Sequence, residues 1–165
     1  MSFAIFSDSS CNLPKAQLEE FQVQIISSSY EREGKLITCP PYPEDFDGHE
    51  YYNFLRNKGV VKTSLIPAAQ MEDAFRPVLA AGEDVLYITL SSGISGTVAS
   101  GLQAAQALME EFPQRQVRVL DSMGAGFGIG LLLGRASDDR KAGLNLDQTY
   151  ASLERDRDNL CEFFT

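Results

Sequence analysis

Asp84-Val85-Leu86-Tyr87-Ile88-Thr89-Leu90-Ser91-Ser92-Gly93-Ile94-Ser95-Gly96-Thr97 joins an unbroken, largely apolar run to a cluster of small hydroxyl residues and glycines. The run 85–90 is too short for a helix and rich in β-branched and aromatic residues. It reads as a strand buried on both faces, the kind that belongs to a parallel sheet. After the loop, Val98, Leu102, Ala105, Met109 and Phe112 recur at spacings of four and three. That spacing predicts a helix whose apolar stripe packs back on the sheet. The first backbone N–H groups of such a helix have no intrahelical partner, and Gly93 and Gly96 let a ligand approach the main chain closely. The junction suits an anion.

Working away from this unit, residues 60–67 read as extended. A helix follows that carries Met71, Phe75, Val78 and Leu79 inward and stops at Gly82. Downstream, a short strand at 117–120 ends at Asp121-Ser122, ahead of Gly124-Ala125-Gly126-Phe127-Gly128-Ile129-Gly130. Toward the N-terminus, Phe3 to Phe6 reads as a first strand closed by Ser7-Asp8-Ser9-Ser10-Cys11-Asn12, side chains that favour turns and caps. Pro14 fits the first turn of a helix reaching about Phe21, and Val23, Ile25 and Ile26 mark a second strand. Glu31-Arg32-Glu33-Gly34-Lys35 reads as a hairpin tip, and 38–43 as irregular. Glu44 and Asp45 at one end and Lys58 and Gly59 at the other bracket a further helix. A last helix begins near Leu146, with Tyr150, Leu153, Leu160 and Phe164 on one side and Arg157 interrupting.

Short apolar runs alternating with longer periodic segments predict a three-layer α/β fold, with a mostly parallel sheet and helices on both faces. The predicted strands are 3–6, 23–26, 85–90 and 117–120. Three of them end in hydroxyl or acidic residues: Asp8-Ser9-Ser10, Ser91-Ser92 and Asp121-Ser122. In an open parallel sheet such tips converge on the binding crevice.

The chain of 165 residues, 44% hydrophobic, is long enough for one well-buried core, so 1–165 reads as a single α/β domain. Its charge of −9 opposes a phosphate-backbone partner or an anionic membrane surface, which argues against nucleic acid. Cys11, Cys39 and Cys161 form no paired framework. The N-terminal apolar run is shorter than a signal peptide or membrane anchor, and a cytoplasmic protein is expected.

The loop from Ser92 to Thr97 has two readings: an oxyanion cradle of N–H groups and hydroxyls, or a capped loop in which Ser95 is simply an N-cap. No lysine follows its second glycine, so it is not a Walker loop. Thr63-Ser64 can reach a ligand or merely cap the next helix. The alternating glycines 124, 126, 128 and 130 do not match G-x-G-x-x-G and read as close helix packing. His49, the single histidine, reads as a solvated residue, which speaks against a Ser-His-Asp hydrolase. Neither metal-ligand spacing nor a cofactor motif is visible.

Asp8-Ser9-Ser10-Cys11-Asn12-Leu13-Pro14 is similar to the pattern D-S-[ST]-x-D-L-P, with Asn12 in place of the aspartate. Lys62-Thr63-Ser64 is similar to K-T-S, though it continues Leu65-Ile66-Pro67 rather than Q-P-S. Ser91 to Thr97 is similar to S-S-x-[LI]-S-G-T, and Asp121-Ser122 to a D-S element ahead of a glycine-containing helix. In these motifs and their order the sequence resembles the DegV family of bacterial fatty-acid-binding proteins, whose members include the FakB subunits of fatty acid kinase. The resemblance implies a non-enzymatic protein holding one long-chain fatty acid, with no cofactor. The carboxylate would lie near Thr63 and Ser92, helped by the N–H groups of Gly96 and Thr97. Ser64, Ser95, Asp8, Ser9 and Ser122 are secondary candidates.

The resemblance also implies a separate kinase subunit that phosphorylates the bound acid. It implies a longer protein, whose C-terminal domain is absent here and would supply further groups around the carboxylate. Residues near Leu153, Leu160 and Phe164, and apolar residues beside Thr63, are then expected to be exposed and to favour self-association. An enzyme domain acting on a small phosphorylated or carbonyl substrate, or a shortened member without lipid binding, are the alternatives.

Overall fold

The computed structural model describes residues 3–163. Four parallel strands form its central sheet: β1 (Phe3–Asp8), β2 (Val23–Ile26), β6 (Asp84–Thr89) and β7 (Val117–Asp121), in the order β2-β1-β6-β7. Every residue of β1 and β6 is buried, as their unbroken apolar runs require. Side chains alternate between faces with a period of two. Phe3, Ile5, Leu86, Ile88 and Leu120 therefore point into one core, and Ala4, Phe6, Val85, Tyr87 and Val119 into the other. Burying a side chain such as Leu86 or Ile88 stabilises the fold by about 1.5–3 kcal/mol.

The first core is covered by α1 (Lys15–Phe21), α5 (Phe127–Lys141) and α6 (Leu146–Arg157), the second by α3 (Ala68–Ala80) and α4 (Thr97–Glu111). The expected three-layer α/β architecture is thus present. From β1 the chain winds through α1 to β2 on one side, whereas β6 and β7 lie on the other. The strand order reverses between β1 and β6, and open α/β sheets bind ligands at such a switch point.

A second sheet stands apart from this sandwich. β3 (Ser29–Arg32), β4 (Lys35–Thr38) and β5 (Val61–Ser64) pair antiparallel in the order β4-β3-β5. Glu33 and Gly34 both adopt positive φ, 52° and 75°, the pairing a two-residue hairpin turn demands. The hairpin follows from the sequence; the pairing of β5 with β3, which sets Thr63 opposite Tyr30, does not. The helix bracketed at Glu44 and Gly59 is shorter than its charges imply. Residues 43–45 form a 3-10 turn and α2 spans Gly48–Arg56, with Asp47 accepting from the Glu50 amide as its cap.

Two further expectations are corrected. The buried face of α4 is Thr97, Gly101, Ala104, Ala105 and Leu108, whereas Leu102 and Met109 face outward, 55% and 37% exposed. Small residues win because α4 lies so close to the sheet that a Cβ on Gly101 would sit 3.1 Å from Val119. Leu153 is fully buried in the α5–α6 layer and not exposed, while Leu160 is partly buried against the same core. Phe164 lies outside the described residues. The alternating glycines serve packing, as expected: a Cβ on Gly130 would meet Leu13 at 2.7 Å. Gly126 adopts φ +51° where its amide donates to Ser10, at the start of α5.

Candidate functional site

A cavity of ≈560 Å3 opens where the carboxyl end of the parallel sheet meets the small antiparallel sheet and α2. That volume falls in the range of about 300–1,000 Å3 typical of small-molecule sites. One wall comes from the end of β1 and the loop after β6, including Leu90, Ile94 and Ser95. Another comes from β5 and the segment after it, with Thr63, Leu65 and Ile66. The outer wall is aromatic: Tyr30, Phe46, Tyr51 and Tyr52. Tyr51 is its hub, with ring centroids 5.4 Å from Tyr30, 5.2 Å from Phe46 and 5.4 Å from Tyr52.

At the cavity floor Asp8 is 2% exposed, and its carboxylate accepts four hydrogen bonds. One oxygen accepts from the Ser10 amide at 2.9 Å and from the Ser10 hydroxyl. The other accepts from Tyr87 at 3.1 Å and from Thr89 at 2.5 Å. Burial and the adjacent Asp8 charge push the Tyr87 phenol well above its ordinary value, so it remains a donor. Burial, with Asp8 adding to it, likewise raises the Cys11 thiol, although hydrogen bonding to Leu13 opposes the rise.

The start of α4 is closed on itself. Ser95 Oγ accepts from the Thr97 amide at 3.2 Å and lies 2.8 Å from Thr97 Oγ1, which in turn accepts from the Ile66 amide at 3.4 Å. Gly96 packs closely here: a Cβ would stand 3.0 Å from the Leu65 side chain. Ser64 Oγ donates to the Ser29 carbonyl. The Thr63 hydroxyl, by contrast, has no hydrogen-bond partner among the described residues and borders the cavity.

Of the residues singled out in the sequence, Thr63, Ser64, Ser95, Gly96, Thr97 and Asp8 are brought together around this cavity. Ser92, Ser9 and Ser122 do not line it. The exposed Ser92 turns to β7, where its amide donates to Asp121 at 3.1 Å. Burial raises the Asp121 carboxyl, yet hydrogen bonds from Ser92 and Met123 and the Arg157 charge outweigh it and hold the group below its ordinary value. Ser9 pairs with Ser28 at 2.7 Å and borders an adjoining cavity of ≈180 Å3. Ser122 is buried, donating to the Gly124 carbonyl. Phe127, at the start of α5, is 73% exposed and does not line the cavity.

The aromatic wall is what the sequence reading missed. Its only signal is the density of rings between Tyr30 and Tyr52, because the four come from three separate segments. Among the described residues no cluster of His, Cys, Asp and Glu could hold a metal ion, and no helix is long and apolar enough to cross a membrane.

A family model described as "Uncharacterised protein, DegV family" matches residues 2–165. The chain belongs to the DegV family. A DegV domain-containing protein of Clostridium perfringens is 29% identical over 167 residues, covering 99% of this chain and 56% of that protein. Among solved structures, a Thermus thermophilus DegV protein described by its fatty-acid binding superposes with a TM-score of 0.83 at 28% identity, over 96% of this chain and 54% of the other. A stearic-acid-binding protein of Eubacterium ventriosum gives 0.82 at 26% identity, over 92% and 52%. This DegV chain thus spans about half the length of the relatives it matches.

Proposed function

We propose that this DegV chain builds part of a binding site for a long-chain fatty acid, with the acyl chain in the cavity at the switch point and the carboxylate beside Thr63 and the start of α4. The observation that carries this reading is the cavity itself: apolar and aromatic walls set with hydroxyls, of which that of Thr63 is uncommitted. Such a lining suits an elongated amphiphile. The Thermus and Eubacterium proteins, described by their binding of fatty acids, support the same ligand class.

In this reading Thr63 and the first-turn N–H groups of α4 other than that of Thr97, which donates to Ser95, meet the carboxylate. Gly96 and Thr97 set how closely the main chain approaches, and Ser64 and Ser95 hold the two segments in place. Ser92 acts on the loop through Asp121. In this reading the chain acts as a binding unit, and His49, exposed on α2, takes no part in the site. The motif resemblance supports a finer role, presentation of the bound acid to a separate kinase that forms the acyl phosphate. Mass spectrometry of an organic extract of the purified protein tests the reading. A stoichiometric long-chain fatty acid is expected, and an extract free of lipid, together with no uptake of added palmitic acid, would sink it.

A further inference from the structure

Asp8 is the one charged side chain in the cavity lining; no lysine, arginine or histidine joins it there. Three hydroxyls and an amide hold it, and no cation stands among them. Hydrogen bonds from neutral donors fix a carboxylate in place without cancelling its charge. The same contacts turn the Ser10, Tyr87 and Thr89 hydroxyls toward Asp8 and withdraw them from any ligand. A fixed like charge in a partly desolvated cleft disfavours an anion beside it far more than one in open water would.

We propose that Asp8 is a specificity-determining residue whose fixed negative charge keeps an anionic head group off the cavity floor and so sets which way round the amphiphile lies. The inference rests on the lipid reading above and adds orientation to it. The head group is left with the Thr63 hydroxyl and the neighbouring start of α4, away from Asp8, and the apolar tail takes the rest of the cavity.

The test is a titration of the unaltered protein, D8N and D8S with palmitic acid, palmityl alcohol and palmitylamine. Both variants are neutral. D8S offers a hydroxyl that can both donate to and accept from Tyr87 and Thr89, so a second route exists if D8N does not fold. In the variants the affinity for acid relative to alcohol should rise by roughly tenfold, the scale of one partly screened like charge. The affinity for amine relative to alcohol should fall. A purely structural Asp8 would move all three ligands together, and unchanged ratios of that kind would overturn the assignment. If the unaltered protein binds none of the three, it is the lipid reading that fails.

Discussion

The two sheets of this protein are built on opposite principles. In the parallel sheet, β1 and β6 are buried along their whole length, and their side chains feed two cores at once. In the antiparallel sheet, Tyr30 is the one buried residue of β3, and β4 and β5 are mostly exposed. α2, which stands beside it, buries no residue at all. The parallel sheet therefore supplies rigidity and the cavity floor, while the antiparallel sheet and α2 supply a wall held by rings and polar contacts. Cavities made this way keep a fixed base and a wall of lower local stability.

Substitutions in the two regions should separate most widely in stability. Leu86→Ala, in β6, should lower unfolding free energy by about 2–5 kcal/mol in urea denaturation. Leu36→Ala, at a site 72% exposed on β4, should stay within about 0.5 kcal/mol. Equal losses at both positions would break the contrast.

Ligand affinity should divide the two regions the other way. Thr63→Ala on β5 should weaken palmitate binding by roughly tenfold to a hundredfold, since a hydrogen bond to a charged group contributes about 1.5–3 kcal/mol. Its melting temperature should hardly change, because Thr63 is exposed. Ser92→Ala, beside the parallel sheet, should leave affinity nearly intact, because Ser92 faces Asp121. Isothermal titration of both variants checks this; a larger loss for Ser92→Ala would return that residue to the carboxylate site.

The smallest effect concerns the tether of α2. Arg32 grips Glu50 through two contacts, 2.7 and 2.6 Å, and its guanidinium lies 3.8 Å from the Phe54 ring centroid. The hydrogen bond from Arg32 holds the Glu50 carboxyl below its ordinary value. A carboxyl depressed on folding contributes stability above its unfolded pKa and loses it as pH falls through the folded value. Acid below the ordinary carboxyl value of 4.5 should thus loosen α2 and speed limited proteolysis between Cys39 and Gly59. Arg32→Gln should do the same at neutral pH and abolish the acid step. Identical cleavage rates in both proteins at all pH values would show that the rings alone hold the wall.

Much of the fixed region was legible in the chain. The runs around Ile5, Leu86 and Val119 are short, apolar and bounded by turn residues, and in a parallel sheet those features belong to the strand whatever its neighbours are. The glycines at 126 and 130 likewise announced tight packing before Leu13 and Ser10 could be seen against them. The stripe on α4 misled, because period alone cannot tell which face a close-packed helix presents, and proximity to the sheet selected Gly101 and Ala104 over Leu102 and Met109.

The layer architecture, the hairpin at Glu33-Gly34 and the polar strand tips are written in the chain, because each depends on neighbours along it. It also carried the family motifs that place Asp8, Thr63 and the Ser92-to-Thr97 loop on one list. The tertiary structure decided which members of that list share a cavity. β5 crosses to pair with β3, which brings Thr63 opposite Tyr30, and α2 swings Tyr51 and Tyr52 into the same wall. Ser92, only three residues from Ser95, falls instead under the pull of Asp121 on the adjacent strand. Hydrogen-bond partners far apart in sequence cost loop entropy and are repaid only when the whole fold closes, so no local pattern records them.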